Sequence, residues 1–192
     1  MVNYPGGTKK TEYAKVTSSG GRGMDLEKEI NRTNAYYLDT DRAVIHKKPT
    51  PVTIVKVDYP KRSAAKITEA YFKIPSTTDY NGIYRGKYLD FEAKECALNT
   101  SFPLKSVHPH QIVHLDAVLR HGALAFMIVR FTKLEETYFV EARKVIDFWN
   151  AGERRSIPYK WFAENGFLIP GNFLMPVDYL KIVDRIYFNE GG

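Results

Sequence analysis

Apolar and polar positions alternate most regularly between residues 77 and 94, TTDYNGIYRGKYLDFEAK. Two runs rich in Tyr, Ile and Phe flank the dipeptide Arg85-Gly86, the pattern of a β-hairpin. With those two residues as the loop, Tyr84 faces Lys87, Asp79 faces Glu92 and Thr77 faces Lys94. Arg-Gly is a poorer two-residue turn than Asn-Gly, and a bulge would shift the pairing by one residue. Elsewhere the spacing predicts a helix over 24–38 and a short strand over 43–45. Residues 52–57 and 66–73 alternate as strands, punctuated by Pro49, Pro51 and Pro60. Ser106 is placed to N-cap a helix with Pro109 in its first turn, running to Arg120 and ended by Gly122. The continuous apolar run 124–131 fits a strand buried on both faces, followed by a shorter strand over 138–141. Helical spacing returns over 142–149, 158–164 and 177–188, with Gly166 as the C-cap of the second. There is no internal repeat, Walker-type loop or GxGxxG. The sum is an α/β fold, a mixed sheet flanked by helices.

Composition narrows the class. A chain of 192 residues, 44% of them apolar, is most simply a single domain with a real core. Residues 1–23 carry almost no apolar periodicity and read as a disordered basic tail, leaving one domain over 24–190. One cysteine, Cys96, excludes an intramolecular disulfide framework and suits a reducing cytoplasm. No apolar run approaches the ~18–20 residues needed to cross a bilayer, and the N-terminus is no signal segment. The net charge of +6 favours a polyanionic partner. Much of it sits in 46–73, with Lys47, Lys48, Lys56, Lys61, Arg62, Lys66 and Lys73 against only Asp58 and Glu69. This stretch reads as a two-stranded basic projection whose lysines and aromatics would meet phosphates and bases. A solvated edge hairpin, its lysines blocking aggregation, is the alternative.

The hairpin carries the candidate chemistry. Period-two alternation puts Glu92 and Lys94 on one face, and the pairing brings Asp79 and Thr77 to the same face. Directly opposed Cβ atoms lie about 4.5–5.5 Å apart. Two carboxylates so close repel unless a divalent cation lies between them, and these oxygen donors suit Mg2+ or Mn2+. Lys94 would then orient or deprotonate a water and stabilise charge on a phosphate. Gln111, early in its helix, offers an amide oxygen to the metal or the water. The same D…ExK pattern is also compatible with a solvated strand face bearing a Lys–Glu pair. His108, His110 and His114 lack the paired cysteines of a zinc site and fit better beside phosphate.

Longer stretches carry a resemblance. GRGMDLEKEIN, AVIHKKPTPVTIVKVDYPKRSAAKITEAYF, STTDYNGIYRGKYLDFEAKE, TSFPL and HPHQIVHL occur in one order, and the likeness spans about 22–188. The chain resembles the RecU family of Holliday-junction resolvases, within the restriction-endonuclease-like nucleases. The resemblance implies a homodimeric, Mg2+-dependent endonuclease, with Mn2+ substituting, that nicks two strands symmetrically at a four-way junction in DNA recombination and repair. It implies metal binding by Thr77, Asp79, Glu92 and Gln111 and transition-state stabilisation by Lys94. It makes 46–73 the stalk that enters the junction, with Arg62 a candidate DNA contact. It also implies 5′-phosphate and 3′-hydroxyl products, and work alongside a RecA-type recombinase and a branch-migration helicase. After FEAKE this chain reads CALNT, where the family is usually more basic. The rival functions are a branched-DNA-binding protein that does not cut and a sequence-specific duplex endonuclease. A membrane-surface role ranks last, for want of a basic amphipathic helix.

Overall fold

The computed structural model describes residues 25–60, 65–73 and 77–188. The tail 1–23, together with Lys61 and Arg62 of the projection, lies outside the described residues. In chain order the elements are α1 (Leu26–Asp39), β1 (Val44–Lys47), β2 (Val52–Asp58), β3 (Lys66–Phe72), β4 (Tyr80–Tyr84), β5 (Lys87–Cys96), β6 (Ser101–Pro103), α2 (Pro109–Arg120), β7 (Leu124–Phe131), β8 (Glu136–Glu141), α3 (Ala142–Ala151), β9 (Ser156–Pro158), α4 (Tyr159–Asn165), β10 (Phe167–Leu168) and α5 (Leu180–Tyr187).

The main sheet has six strands in the order β1-β4-β5-β7-β8-β10. Only β5 and β7 run parallel; the crossover between them carries α2. The sheet is mixed and flanked by helices, as the pattern of the chain predicts. The hairpin register is also the predicted one, from Tyr84 opposite Lys87 through Ile83–Tyr88 and Asn81–Asp90 to Tyr80 opposite Phe91. Arg85 and Gly86 have φ of 48° and 73°, the left-handed pair that a two-residue hairpin loop requires. Gly82 is required for a different reason. A Cβ there would meet Val44 O at 2.2 Å and Ile45 Cα at 2.6 Å, because β1 crosses it closely.

Each face of the sheet has its own core. Leu89, Phe91, Phe126, Ile128 and Phe139 face α1 and α5, joined by Ile30, Tyr37, Tyr179 and Val183. On that face Tyr80, Phe91, Phe126 and Phe139 stack in succession across four strands, with centroids 4.8, 4.7 and 4.4 Å apart. Ala125, Met127, Val129 and Val140 face the other way, under α2, α3 and α4. Strand β7 is therefore covered on both sides, which is why it reads as a continuous apolar run. Strand β5 is different: Leu89, Phe91 and Ala93 join the first core, while Asp90, Glu92 and Lys94 point to the α2 side.

Strands β2 and β3 form a two-stranded ribbon of their own, inserted between β1 and β4 and outside the main sheet's ladder. Nearly every residue of the ribbon is exposed, including Ile54, Tyr71 and Phe72. Its register shifts around Lys56, where a bulge lies. Lys47 ends β1 and so belongs to the sheet rather than the ribbon.

Several boundaries differ from the sequence reading. Helix α1 starts at Leu26, because the Asp25 carboxylate accepts the Glu27 N–H at 3.1 Å and caps it. Ser106 is not the N-cap of α2. Residues Leu104–Ser106 form a 3-10 turn anchored by buried Leu104, and the cap falls at His108, with Pro109 as first helical residue. Helix α5 starts at Leu180, not 177; the residues before it are held separately, the Val177 N–H donating to Thr33 Oγ1 at 3.2 Å and the Asp178 N–H to Pro170 O at 3.0 Å. Gly166 does end α4, but at φ −105°. Its need for glycine comes from crowding: a Cβ would meet Phe162 O at 2.8 Å.

Candidate active site

Beyond Tyr80 the β4–β5 ladder ends, and Thr77, Thr78 and Asp79 form the approach to the hairpin. Asp79 still meets Glu92, through its backbone N–H, which donates to Glu92 Oε2 at 3.2 Å. Glu92 Oε1 lies 2.6 Å from Lys94 Nζ. Three of the predicted residues, Asp79, Glu92 and Lys94, therefore converge. Thr77, two residues before Asp79, is half-buried with its hydroxyl 3.4 Å from Thr78 O, and the ladder ends before it could face Lys94 as the hairpin pairing predicts. Gln111 is buried on α2, over the same face of the sheet, and its Oε1 accepts the His108 N–H at 2.9 Å. That bond caps the helix, a role the sequence did not disclose, and leaves the oxygen one lone pair. Asp79 and Lys94 also line a cleft of about 180 Å³ shared with Asp25 and Glu27 at the start of α1.

Glu92 is the electrostatic centre. Its side chain is fully buried. Burial pushes its carboxyl up, the charge of Asp79 pushes it further, and Lys94 offsets only part, so that it titrates at about 7 instead of 4.5. A carboxylate so reluctant to ionise, beside a second carboxylate, is a site that a divalent cation would relieve. Among the described residues no three His, Cys, Asp or Glu side chains gather as a metal cage. Two carboxylates completed by neutral oxygens, water and a phosphate is the donor set that Mg2+ ordinarily accepts. Asp79 and Glu92, with Thr77 and Gln111 as neutral oxygens, fit that description.

One member of the cluster went unnoticed in the sequence. Asp90 is fully buried two residues before Glu92, on the same face of β5. Its Oδ2 accepts from Lys48 Nζ at 2.9 Å and Tyr88 OH at 2.8 Å, and His114 Nε2 lies 3.1 Å away. Its Oδ1 accepts from Thr78 Oγ1. Burial alone would raise the Asp90 carboxyl, but Lys48, Thr78 and His114 outweigh it and hold it below the usual range. The signal was present, since the alternation that aligned Glu92 with Lys94 aligns Asp90 as well. Lys48, read as a DNA contact, spends its ammonium on Asp90 and Thr78. Lys47 pairs with Glu27 at 2.5 Å. On the ribbon, Lys56, Lys66 and Lys73 are exposed. His110 is held below its ordinary value by burial and then by the charges of His108 and Lys94, so the first turn of α2 stands near the lysine.

Comparison with known proteins follows the same residues. The family model described as Recombination protein U matches residues 21–185, which include every member of this cluster. The chain belongs to the recombination protein U family. It is 52% identical to a Holliday junction resolvase RecU of Oceanobacillus iheyensis over 97% of this chain and all of that one. It is equally identical to a RecU of a Geobacillus strain, over 99% of this chain and all of the relative. A Bacillus cereus RecU is 49% identical over 98% of this chain and 99% of its own length. The family resemblance read from the sequence is thus shown over nearly the full chain. Among the described residues no helix is long and apolar enough to cross a membrane.

Proposed function

We propose that the protein is an endodeoxyribonuclease that resolves Holliday junctions in the cytoplasm, using Mg2+ and acting as a homodimer with paired, symmetric nicks. The observation that carries this reading is the burial of Glu92 against Asp79 and Lys94, in a chain about half identical to proteins named as Holliday junction resolvases. Asp79 and Glu92 hold the cation, helped by the oxygens of Thr77 and Gln111. When bound, the cation supplies a Lewis acid for the phosphate and lowers the pKa of a water. Lys94, held by its pair with Glu92, would orient the attacking water as an ammonium, or deprotonate it after first giving up its own proton. Its positive charge also stabilises the charge gathering on the phosphate.

The ribbon supplies the other half of the reading. Lys56, Lys66 and Lys73 with exposed Tyr71 and Phe72 suit phosphate contact and base stacking in branched DNA. A dimer would set two such sites about a two-fold axis, matching the symmetry of a four-way junction. A RecA-type recombinase and a branch-migration helicase would act on the same intermediates.

The test is strand nicking on a labelled four-way junction, a linear duplex and single-stranded DNA, with Mg2+ or EDTA, for the parent and Glu92→Gln. Paired nicks confined to the junction, to Mg2+ and to the parent are expected. Junction binding without nicks in any divalent metal would make the protein a binding module. Cutting of linear duplex at one sequence would retain the site and replace its substrate.

A further inference from the structure

The three residues that deliver Asp79 are held by little regular structure. The β4–β5 ladder reaches only Tyr80, so Thr77, Thr78 and Asp79 have no strand partner in it. Four hydrogen bonds, to Lys48, Asp90 and Glu92, fix them instead. The Lys48 backbone N–H donates to Asp79 O at 2.7 Å. The Thr78 hydroxyl is held between Lys48 Nζ, at 3.0 Å, and Asp90 Oδ1. Lys48 Nζ in turn reaches Asp90 Oδ2 at 2.9 Å. The circuit closes through Asp79 N–H to Glu92 Oε2. Asp90 and Glu92 are the two ends of one short, stiff piece of β5, so the loop that carries Asp79 is tied to the same strand at both ends.

A buried carboxylate with so many donors needs a reason, because an apolar side chain could fill the same space at less cost. The bonds of Asp90 run to Lys48, Thr78, Tyr88 and His114 rather than to Asp79 or Lys94. Its partners Tyr88 and His114 lie on the far side from Glu92 along β5 and on α2. What it reaches toward the site is Thr78 and Lys48.

We propose that Asp90 is a positioning residue: with Lys48 and Thr78 it fixes the Thr77–Asp79 segment so that the Asp79 carboxylate meets Glu92 at the spacing a divalent cation requires. The inference rests on the metal reading given above. It assigns Lys48 to the site's scaffold and gives Thr78, rather than Thr77, the anchoring hydroxyl. Asp90 touches neither substrate nor cation.

Thr78→Val keeps the shape of the side chain and removes its hydroxyl, whereas Thr78→Ser keeps the hydroxyl. Asp90→Asn removes the charge at constant volume. Each would be measured in three ways: Mn2+ affinity by calorimetry without DNA, hydrogen exchange of the Lys48 and Asp79 amides, and junction nicking against Mg2+ concentration. In Thr78→Val the Mn2+ dissociation constant and the half-saturating Mg2+ should rise at least tenfold. Amide exchange should quicken by a similar factor, and nicking at saturating Mg2+ should stay within about threefold of the parent. Thr78→Ser should stay within twofold of the parent throughout. A merely structural network would lower the melting temperature and leave Mn2+ affinity unchanged, and that result in Thr78→Val would overturn the proposal. If Asp90→Asn does not fold, the threonine pair decides alone. A parent that binds no Mn2+ would remove the metal reading itself and this proposal with it, an outcome distinct from parental affinity in the variants.

Discussion

Replacing Glu92 with glutamine should make the metal-free protein more stable, although it removes a charge from a charge pair. In the fold Glu92 titrates at about 7 rather than 4.5. At about 1.4 kcal/mol per pH unit, ionising it in place costs roughly 3 kcal/mol. The folded state keeps a proton that the unfolded chain gives up between those two values. Stability on this account is full below about pH 4.5, declines through pH 7 and levels off above it. Glutamine imitates the protonated form. Glu92→Gln should therefore match the parent near pH 4.5 and exceed it by up to roughly 3 kcal/mol at pH 8, or roughly 6–12 °C in melting temperature for a chain of this size. The assay is urea unfolding followed by circular dichroism, in EDTA, at half-unit steps from pH 4.5 to 8.5. Mg2+ should close most of the gap at pH 8 by stabilising the parent alone. A variant that is neutral or less stable than the parent at pH 8 in EDTA would refute the claim that the Glu92 carboxylate is held at a cost. It would mean that the Lys94 pair already compensates its burial.

Other outcomes follow from the packing. Gly82→Ala should cost more than about 3 kcal/mol in urea unfolding, since its Cβ would meet Val44 O at 2.2 Å. Gly86→Ala, at φ 73° with open space around it, should cost only about 1 kcal/mol in the same assay. Phe126→Ala, fully buried in the aromatic stack, should lose about 3–5 kcal/mol in the same experiment. Replacing Lys56, Lys66 and Lys73 by alanine should lower the slope of log junction affinity against log salt by about 1 per lysine, read by gel shift across a salt series.

The parts of the molecule legible in the sequence are those where a local rule leaves one answer. A two-residue loop fixes the pairs next to it, so the β4–β5 register as far as Tyr80 opposite Phe91 followed once Arg85-Gly86 was recognised, and Asp79 meets Glu92 one residue beyond that ladder. Strand β7 was legible because burial on both faces makes every position but Arg130 apolar. The misses share a cause: a side chain whose job is set by something distant. Ser106 has the chemistry of a cap, but the chain around Leu104 had already committed it to a 3-10 turn. Lys48 looks like one more surface lysine until β5 brings Asp90 beneath it, 42 residues on. Gln111 could be placed near the site, while its bond to the His108 N–H depended on where the helix began. Strands β6, β9 and β10, each of two or three residues, are too short for alternation to register.

The ribbon leaves the sheet after β1 and returns before β4, and these two strands are already neighbours. The hydrogen bond from Lys48 N–H to Asp79 O fastens the two stems where they meet the sheet. Topologically the insertion is a loop whose ends are shut before it begins. The closure entropy of such a loop grows only with the logarithm of its length, about 0.6 kcal/mol per doubling. Ribbon length and sequence are thereby decoupled from the sheet that carries Glu92. A longer or shorter ribbon should therefore cost the sheet little stability while the Lys48–Asp79 bond at its stems is kept.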